Sequence, residues 1–187
     1  RMTVVLSIDP ASSEEKTADD NVVAAVGFYR DQVFLLDYKA AIGQDPDMVT
    51  ATVFEFARRF RPLGIIVESI SYQRVLAWYL EKKMREQRVY LPVWKIQDRR
   101  RKSDRIVQAL GETSGYQRLY VQYSHTKFIE QYTEYSPLAE MHDDVIDAVS
   151  MAITWSVNQG LEDWIEGDAE RVEDDDDLPR LNFRGAP

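Results

Sequence analysis

Short apolar, β-branched runs alternate along this chain with stretches of helical periodicity. Residues 2–9 (MTVVLSID) are apolar up to a closing carboxylate and predict a buried strand. The polar stretch 10–20 reads as a loop. Residues 21–29 (NVVAAVGFY) and 32–38 (QVFLLDY) predict two further strands joined by a tight turn at Arg30-Asp31. Three strands in succession imply an antiparallel meander. Over residues 48–60, Val49, Val53, Phe56 and Phe60 fall on one face of a helix. Pro62 and Gly64 interrupt the pattern before residues 64–70 (GIIVESI), another buried strand. A helix over 72–87 and a strand over 89–96 follow, with Pro92 marking that strand as an edge or a bulge. Helices over 103–110, 127–132 and 142–159 and a strand over 118–122 complete the series. Asp143 and Asp144 stand in the first turn of the last helix, where the helix dipole favours negative charge.

This order predicts an α/β fold. Three antiparallel strands, then alternating helices and strands, build a mixed central sheet with helices on both faces. The 187 residues suffice for one domain with a real core, placed here at residues 1–160. Residues 161–187 carry 10 acidic and 3 basic residues, leaving 22 and 20 in the rest of the chain. The net charge of −9 is therefore mostly a property of an acidic, mobile C-terminal tail, and a nucleic-acid partner for the folded part stays open. Arg1 precedes Met2, which reads as a fragment of a longer chain, although Met2 also suits a natural start.

Composition narrows the chemistry. The absence of cysteine excludes disulfide scaffolds, thiolate metal sites and cysteine nucleophiles. No apolar run reaches the roughly 20 residues of a membrane span, so no membrane association is expected. The phosphate-binding loop GxxxxGK[ST], the GxGxxG fingerprint and the GxSxG elbow are all missing. What stands out is a set of carboxylates at predicted element ends. Asp9 closes the first strand and Glu68 the fourth, and Asp144 and Asp147 lie three apart on the last helix. Ligands in α/β sheets bind at the carboxyl ends of strands. Four carboxylates gathered there repel one another unless cations separate them. Their hard oxygens suit Mg²⁺ or Mn²⁺, and two such ions about 4 Å apart suit phosphodiester hydrolysis.

Each residue taken alone has a plainer reading. Asp9 also fits a turn-former, Asp143 and Asp144 fit ordinary helix N-terminal acids, and His142 fits either a phosphate or metal contact or a cap. Asp20 and Asp37 are weaker candidates for the same rim. Glu68 follows Ile65-Ile66-Val67, and Asp147 precedes an apolar helix, so both need a partner. The only concentrated positive charge is Lys95, Arg99, Arg100, Arg101, Lys102 and Arg105, a solvated run or a DNA-backbone contact.

The motifs LSIDPA (6–11), ADDN (18–21), IIVES (65–69) and HDDVIDAVSMAI (142–153) resemble the nuclease domain of tailed-bacteriophage terminase large subunits. That family is RNase H-like in fold and related to RuvC resolvases. The resemblance implies that Asp9, Glu68 and Asp147 are catalytic metal-binding acids, with Asp144 sharing an ion and His142 or Asp143 nearby as an accessory group; Asp20, at a strand start, is a further accessory candidate. It leaves open whether Asp144 or Asp147 is the principal third ligand. It also implies two-metal cleavage of double-stranded DNA during packaging, in the cytoplasm of a bacterial host cell. An N-terminal ATPase domain of the same full-length chain, the portal and the small terminase subunit are the implied partners. Two other readings compete with it. One is a RuvC-like Holliday junction resolvase, and the other is a catalytically weak docking module of the packaging motor.

Overall fold

A computed structural model describes residues 1–10, 21–41, 46–68, 73–96, 100–138 and 142–159. In chain order the described elements are β1 (Thr3–Asp9), β2 (Asn21–Tyr29), β3 (Gln32–Ala41), α1 (Pro46–Phe60), β4 (Ile65–Glu68), α2 (Gln73–Gln87), β5 (Val93–Ile96), α3 (Lys102–Gly115), β6 (Leu119–Val121), α4 (Thr126–Glu134) and α5 (Asp144–Asn158). The six strands form one sheet in the order β5-β4-β1-β2-β3-β6. β1, β2 and β3 pair antiparallel as a meander, while β4 lies parallel to β1, β5 to β4 and β6 to β3. Every described strand except β2 therefore points its carboxyl end toward the same edge of the sheet. The expected mixed α/β sheet is the one found. The proposed division at residue 160 and the acidic tail lie outside the described residues.

Alternation along the strands sorts the core into two layers. Val5 and Ile66 face one side and pack with Ile106 and Leu110 of α3, Phe128 of α4 and Ile146, Val149 and Ile153 of α5. Leu6, Ile8, Ile65 and Val67 face the other side, against Val49, Val53 and Phe56 of α1 and Leu76, Leu80 and Met84 of α2. Helices thus cover both faces. α5 is buried from Asp144 to Ser156, as a helix wedged between the sheet and two other helices must be. Among the described residues no helix is long and apolar enough to cross a membrane.

Boundaries differ from the sequence expectation in instructive places. β5 starts at Val93 rather than residue 89, because Pro92 has no N–H for the ladder, and β5 lies at the sheet edge as that proline implied. The Pro92 carbonyl still accepts a hydrogen bond from the Ile65 amide at 2.8 Å. α3 continues through Gly111 to Gly115, since burial of Ala109, Leu110 and Thr113 outweighs the roughly 1 kcal/mol that an internal glycine costs a helix. Arg30, in the β2–β3 turn, takes φ 53°, the left-handed conformation that a two-residue hairpin demands.

Gly64, just before β4, is required for close approach. A Cβ there would strike the Trp94 ring and lie 2.7 Å from the Pro92 carbonyl oxygen. Trp94 is in turn packed on Trp155 of α5, with ring centroids 4.7 Å apart, so it cannot easily retreat. Gly64→Ala is expected to lower unfolding free energy by about 1–3 kcal/mol, the usual cost of overpacking. Chemical denaturation checks this, and an unchanged midpoint would show that Trp94 yields freely.

Candidate active site

Strand parity carries two carboxylates to one corner. Val5, Ser7 and Asp9 alternate onto the α5 face of β1, and Ile66 and Glu68 do the same on β4. Ile8 pairs with Val67 in the parallel ladder, so Asp9 and Glu68 end adjacent strands side by side. The first turn of α5 meets them there and brings Asp144 and Asp147, both buried, from the helix side. The charges of Asp147, Asp144 and Glu68 all act on Asp9. The four carboxylates that the sequence singled out therefore share one site.

The local fold holds this turn of α5 in place. The Asp143 side chain does not cap the helix. Instead Gln131 of α4, itself buried, accepts hydrogen bonds at its Oε1 from the Val145 and Ile146 amides at 3.0 and 3.2 Å. Ser150, one turn further along α5, donates to the Asp147 carbonyl at 2.8 Å and to Asp147 Oδ1 at 3.1 Å. Neither residue carries a signal in the sequence, because a polar residue inside an amphipathic helix looks the same whether it caps a neighbour or faces water.

The compensating charge comes from α3. Lys102 and Arg105 lie three residues apart and face α5. Arg105 is 3% exposed and forks onto Asp147, with Nη2 at 2.7 Å from Oδ1 and 2.9 Å from Oδ2 and Nε at 3.2 Å from Oδ1. Its Nη1 reaches Glu68 Oε1 at 3.4 Å. Lys102 Nζ lies 2.7 Å from Asp143 Oδ1, 3.2 Å from Asp147 Oδ2 and 3.9 Å from Asp9 Oδ2. Both basic residues were expected to meet DNA as part of one surface cluster; in the structure they turn inward onto carboxylates. Of that cluster, Lys95, Arg100 and Arg101 are exposed, and Arg99 lies outside the described residues. Arg100 donates to Gln108 of α3.

His142 is exposed and Asp143 half-buried at the approach to α5. Asp37 stands apart from the acid cluster: it pairs with Arg59 of α1 and accepts the Tyr38 amide at 2.9 Å. Asp20 lies outside the described residues. Tyr135, after α4, also adjoins the site. Burial first, then the charges of Asp143 and Asp147, raise its phenol above the ordinary value.

Electrostatics follow from this packing. Burial, and after it the charges of Asp147, Asp144 and Glu68, push the Asp9 carboxyl well above the usual carboxylate range, against the opposing pull of Lys102. Burial disfavours the Lys102 ammonium, yet Asp147, Asp9 and Asp143 hold it protonated far above an ordinary lysine. The Arg105 guanidinium is likewise raised despite its burial, by Asp147 and then Glu68. The donor set of clustered hard oxygens fits a divalent cation of the Mg²⁺ or Mn²⁺ kind. As they stand, no three acid or histidine side chains among the described residues are arranged to hold one ion. Lys102 and Arg105 engage the same oxygens.

Two predictions test this site. A carboxyl whose pKa is raised by folding favours the folded state at low pH, and that advantage is lost as pH rises through the folded value. Asp9→Asn, assayed with EDTA, is therefore expected to raise the melting temperature at neutral pH, with the gain vanishing as pH falls toward about 4, the ordinary carboxylate value. A gain that persists unchanged at acidic pH would contradict the charge argument. Arg105→Gln leaves Asp147 buried without its main partner and is expected to cost about 3–5 kcal/mol. Adding Asp147→Asn should restore much of that loss; a strictly additive double mutant would disprove the coupling.

No family model matches the chain, and no curated protein sequence does. Solved structures do. Over 83% of this chain and 82% of the other, it superposes on the human cytomegalovirus terminase nuclease domain with a TM-score of 0.56 at 21% identity. A manganese-soaked, inhibitor-bound structure of that domain matches with a TM-score of 0.57 at 18% identity, over 83% and 82% of the two chains. The large terminase of a thermophilic bacteriophage matches with a TM-score of 0.60 at 11% identity over 83% of this chain. The chain spans only 40% of that phage protein. The fold of this chain is thus RNase H-like, as in terminase nuclease domains.

Proposed function

We propose that this protein is a metal-dependent endonuclease that cuts double-stranded DNA, the cutting domain of a viral DNA-packaging terminase. The observation that carries the reading is the gathering of Asp9, Glu68, Asp144 and Asp147 at the carboxyl edge of the sheet, so close that burial and mutual repulsion hold Asp9 toward its protonated form. A fold needing only stability has no use for such an arrangement, since apolar side chains of similar volume would serve it better. The RNase H-like fold shared with terminase nuclease domains supports the same reading.

In this reading Asp9, Glu68 and Asp147 are the catalytic acids and ligate Mg²⁺ or Mn²⁺ together with Asp144. Bound in pairs, such ions supply an activated water and neutralise charge on the scissile phosphate and its leaving oxygen. The chain's own contribution is to position the ligands. The β1–β4 ladder sets Asp9 beside Glu68, and the Gln131 cap fixes the turn that presents Asp144 and Asp147. Arg105 aims the Asp147 carboxylate through its two-pronged hydrogen bond. Exposed Arg100, Arg101 and Lys95, with Arg99 between them in sequence, hold the DNA backbone, which gives little sequence preference and a strong salt dependence. The match to part of a longer phage terminase supports an ATPase domain elsewhere in the full-length protein. In this reading the portal and the small subunit are further partners, in a bacterial cytoplasm.

Plasmid cleavage with EDTA, Mg²⁺ or Mn²⁺ tests the proposal. The expected result is cutting only with metal, linear products without fixed ends, and loss of roughly a hundredfold or more in rate on Asp9→Asn or Asp147→Asn, on the order of the effect of removing a metal-based charge stabiliser. A folded protein that cuts no plasmid with either metal and binds no Mn²⁺ would overturn it and favour the docking module. A marked preference for four-way junctions over linear duplex would instead favour a resolvase.

A further inference from the structure

The two α3 cations treat the carboxylates differently. Arg105 is buried, rigid and forked onto Asp147, a geometry that leaves little freedom. Lys102 is the first residue of α3, its side chain is 43% exposed, and its single ammonium is shared among Asp143, Asp147 and Asp9. A compact charge on a flexible stem at a helix start can leave by side-chain rotation alone. Its neighbours Arg100 and Arg101 are already exposed, so the outward path leads to protein surface.

Asp9, Glu68, Asp143, Asp144 and Asp147 are five carboxylates around one corner. Lys102 stands among them, its ammonium 3.2 Å from Asp147 Oδ2, which Arg105 also contacts, and 3.9 Å from Asp9 Oδ2, where its charge opposes that of an incoming cation.

We propose that Lys102 is a displaceable internal counter-cation that competes with divalent metal for Asp9 and Asp147 and must swing out before the site is loaded. The inference rests on the metal-dependent reading above. It makes Lys102 a gatekeeper of metal loading rather than a catalytic residue, and Arg105 a positioning residue that stays in place.

The test is Mn²⁺ binding to the whole chain, followed by electron paramagnetic resonance, for the wild type, Lys102→Met, Lys102→Arg and Asp9→Asn. Lys102→Met is expected to bind Mn²⁺ on the order of tenfold more tightly than the wild type, because the ion no longer displaces a resident charge. The same variant should melt at a lower temperature in EDTA and show a larger rise on adding Mn²⁺. Lys102→Arg, whose fork grips carboxylates at least as well, is expected to bind no more tightly than the wild type. If Lys102→Met does not fold, Lys102→Gln takes its place with the same expectation. Unchanged or weaker Mn²⁺ binding in the neutral variant, with binding abolished by Asp9→Asn, would overturn the gatekeeper and leave the metal site standing. No Mn²⁺ binding by either the wild type or the neutral variant would overturn both.

Discussion

Like charges brought together out of water are the constraint around which this molecule is arranged. At an effective dielectric of ~20, two unit charges about 4 Å apart interact by roughly 4 kcal/mol. At this corner of the sheet the charges of Asp147, Asp144 and Glu68 all act on Asp9. The chain holds them with Lys102 and Arg105, delivered by one helix from the side opposite the strands that bear Asp9 and Glu68. Burial, and after it the neighbouring carboxylates, push the Asp9 carboxyl above the usual carboxylate range in spite of Lys102.

That constraint makes the two core layers unequal. α1 and α2 cover their face of the sheet with Phe56, Leu76 and Leu80, an apolar backing with none of the four clustered carboxylates. The opposite layer has to do two tasks at once. α5 is buried on nearly all sides and packs Ile146, Val149 and Ile153 into the core while presenting Asp144 and Asp147 from its first turn. α3 contributes Ile106 and Leu110 to the same core and Lys102 and Arg105 to the acids. α4 packs Phe128 inward and spends Gln131 on the first turn of α5. A change in any one of the three helices therefore reaches the acids through packing as well as through charge.

Carboxylates clustered out of water trade against the stability of the fold unless cations compensate them. The trade is contained by graded replacement of charge. Arg105 compensates from within, buried, and Lys102 from the half-exposed rim. The exposed basic residues just before α3 continue the same positive stripe outward to the surface, so the helix start joins the interior of the site to the region available to a polyanion.

Periodicity in the sequence was sufficient to determine the elements, because alternation of two and of 3.6 is a local property. Val49, Val53, Phe56 and Phe60 lie on the buried side of α1, and NVVAAVGFY spans β2 from end to end. The places of the four acids in the fold were also legible: Asp9 and Glu68 end strands, and Asp144 and Asp147 lie in the first turn of α5. Element limits that depend on packing were less so: β3 runs on to Ala41 because β2 has partners left to pair, and β5 loses the residues before Pro92. What only the tertiary structure decided is where the basic residues point. In the sequence Lys102 and Arg105 belong to the same run as Arg99, Arg100 and Arg101. The helical phase of α3, and its docking against α5, turn two of them toward Asp147 and leave Arg100 and Arg101 in water. Gln131 was equally silent, because its partners, the Val145 and Ile146 amides, lie 14 and 15 residues away and meet it only through the packing of α4 on α5. Local pattern fixes which residues can be buried; charge pairing across elements is a long-range property that no local period encodes.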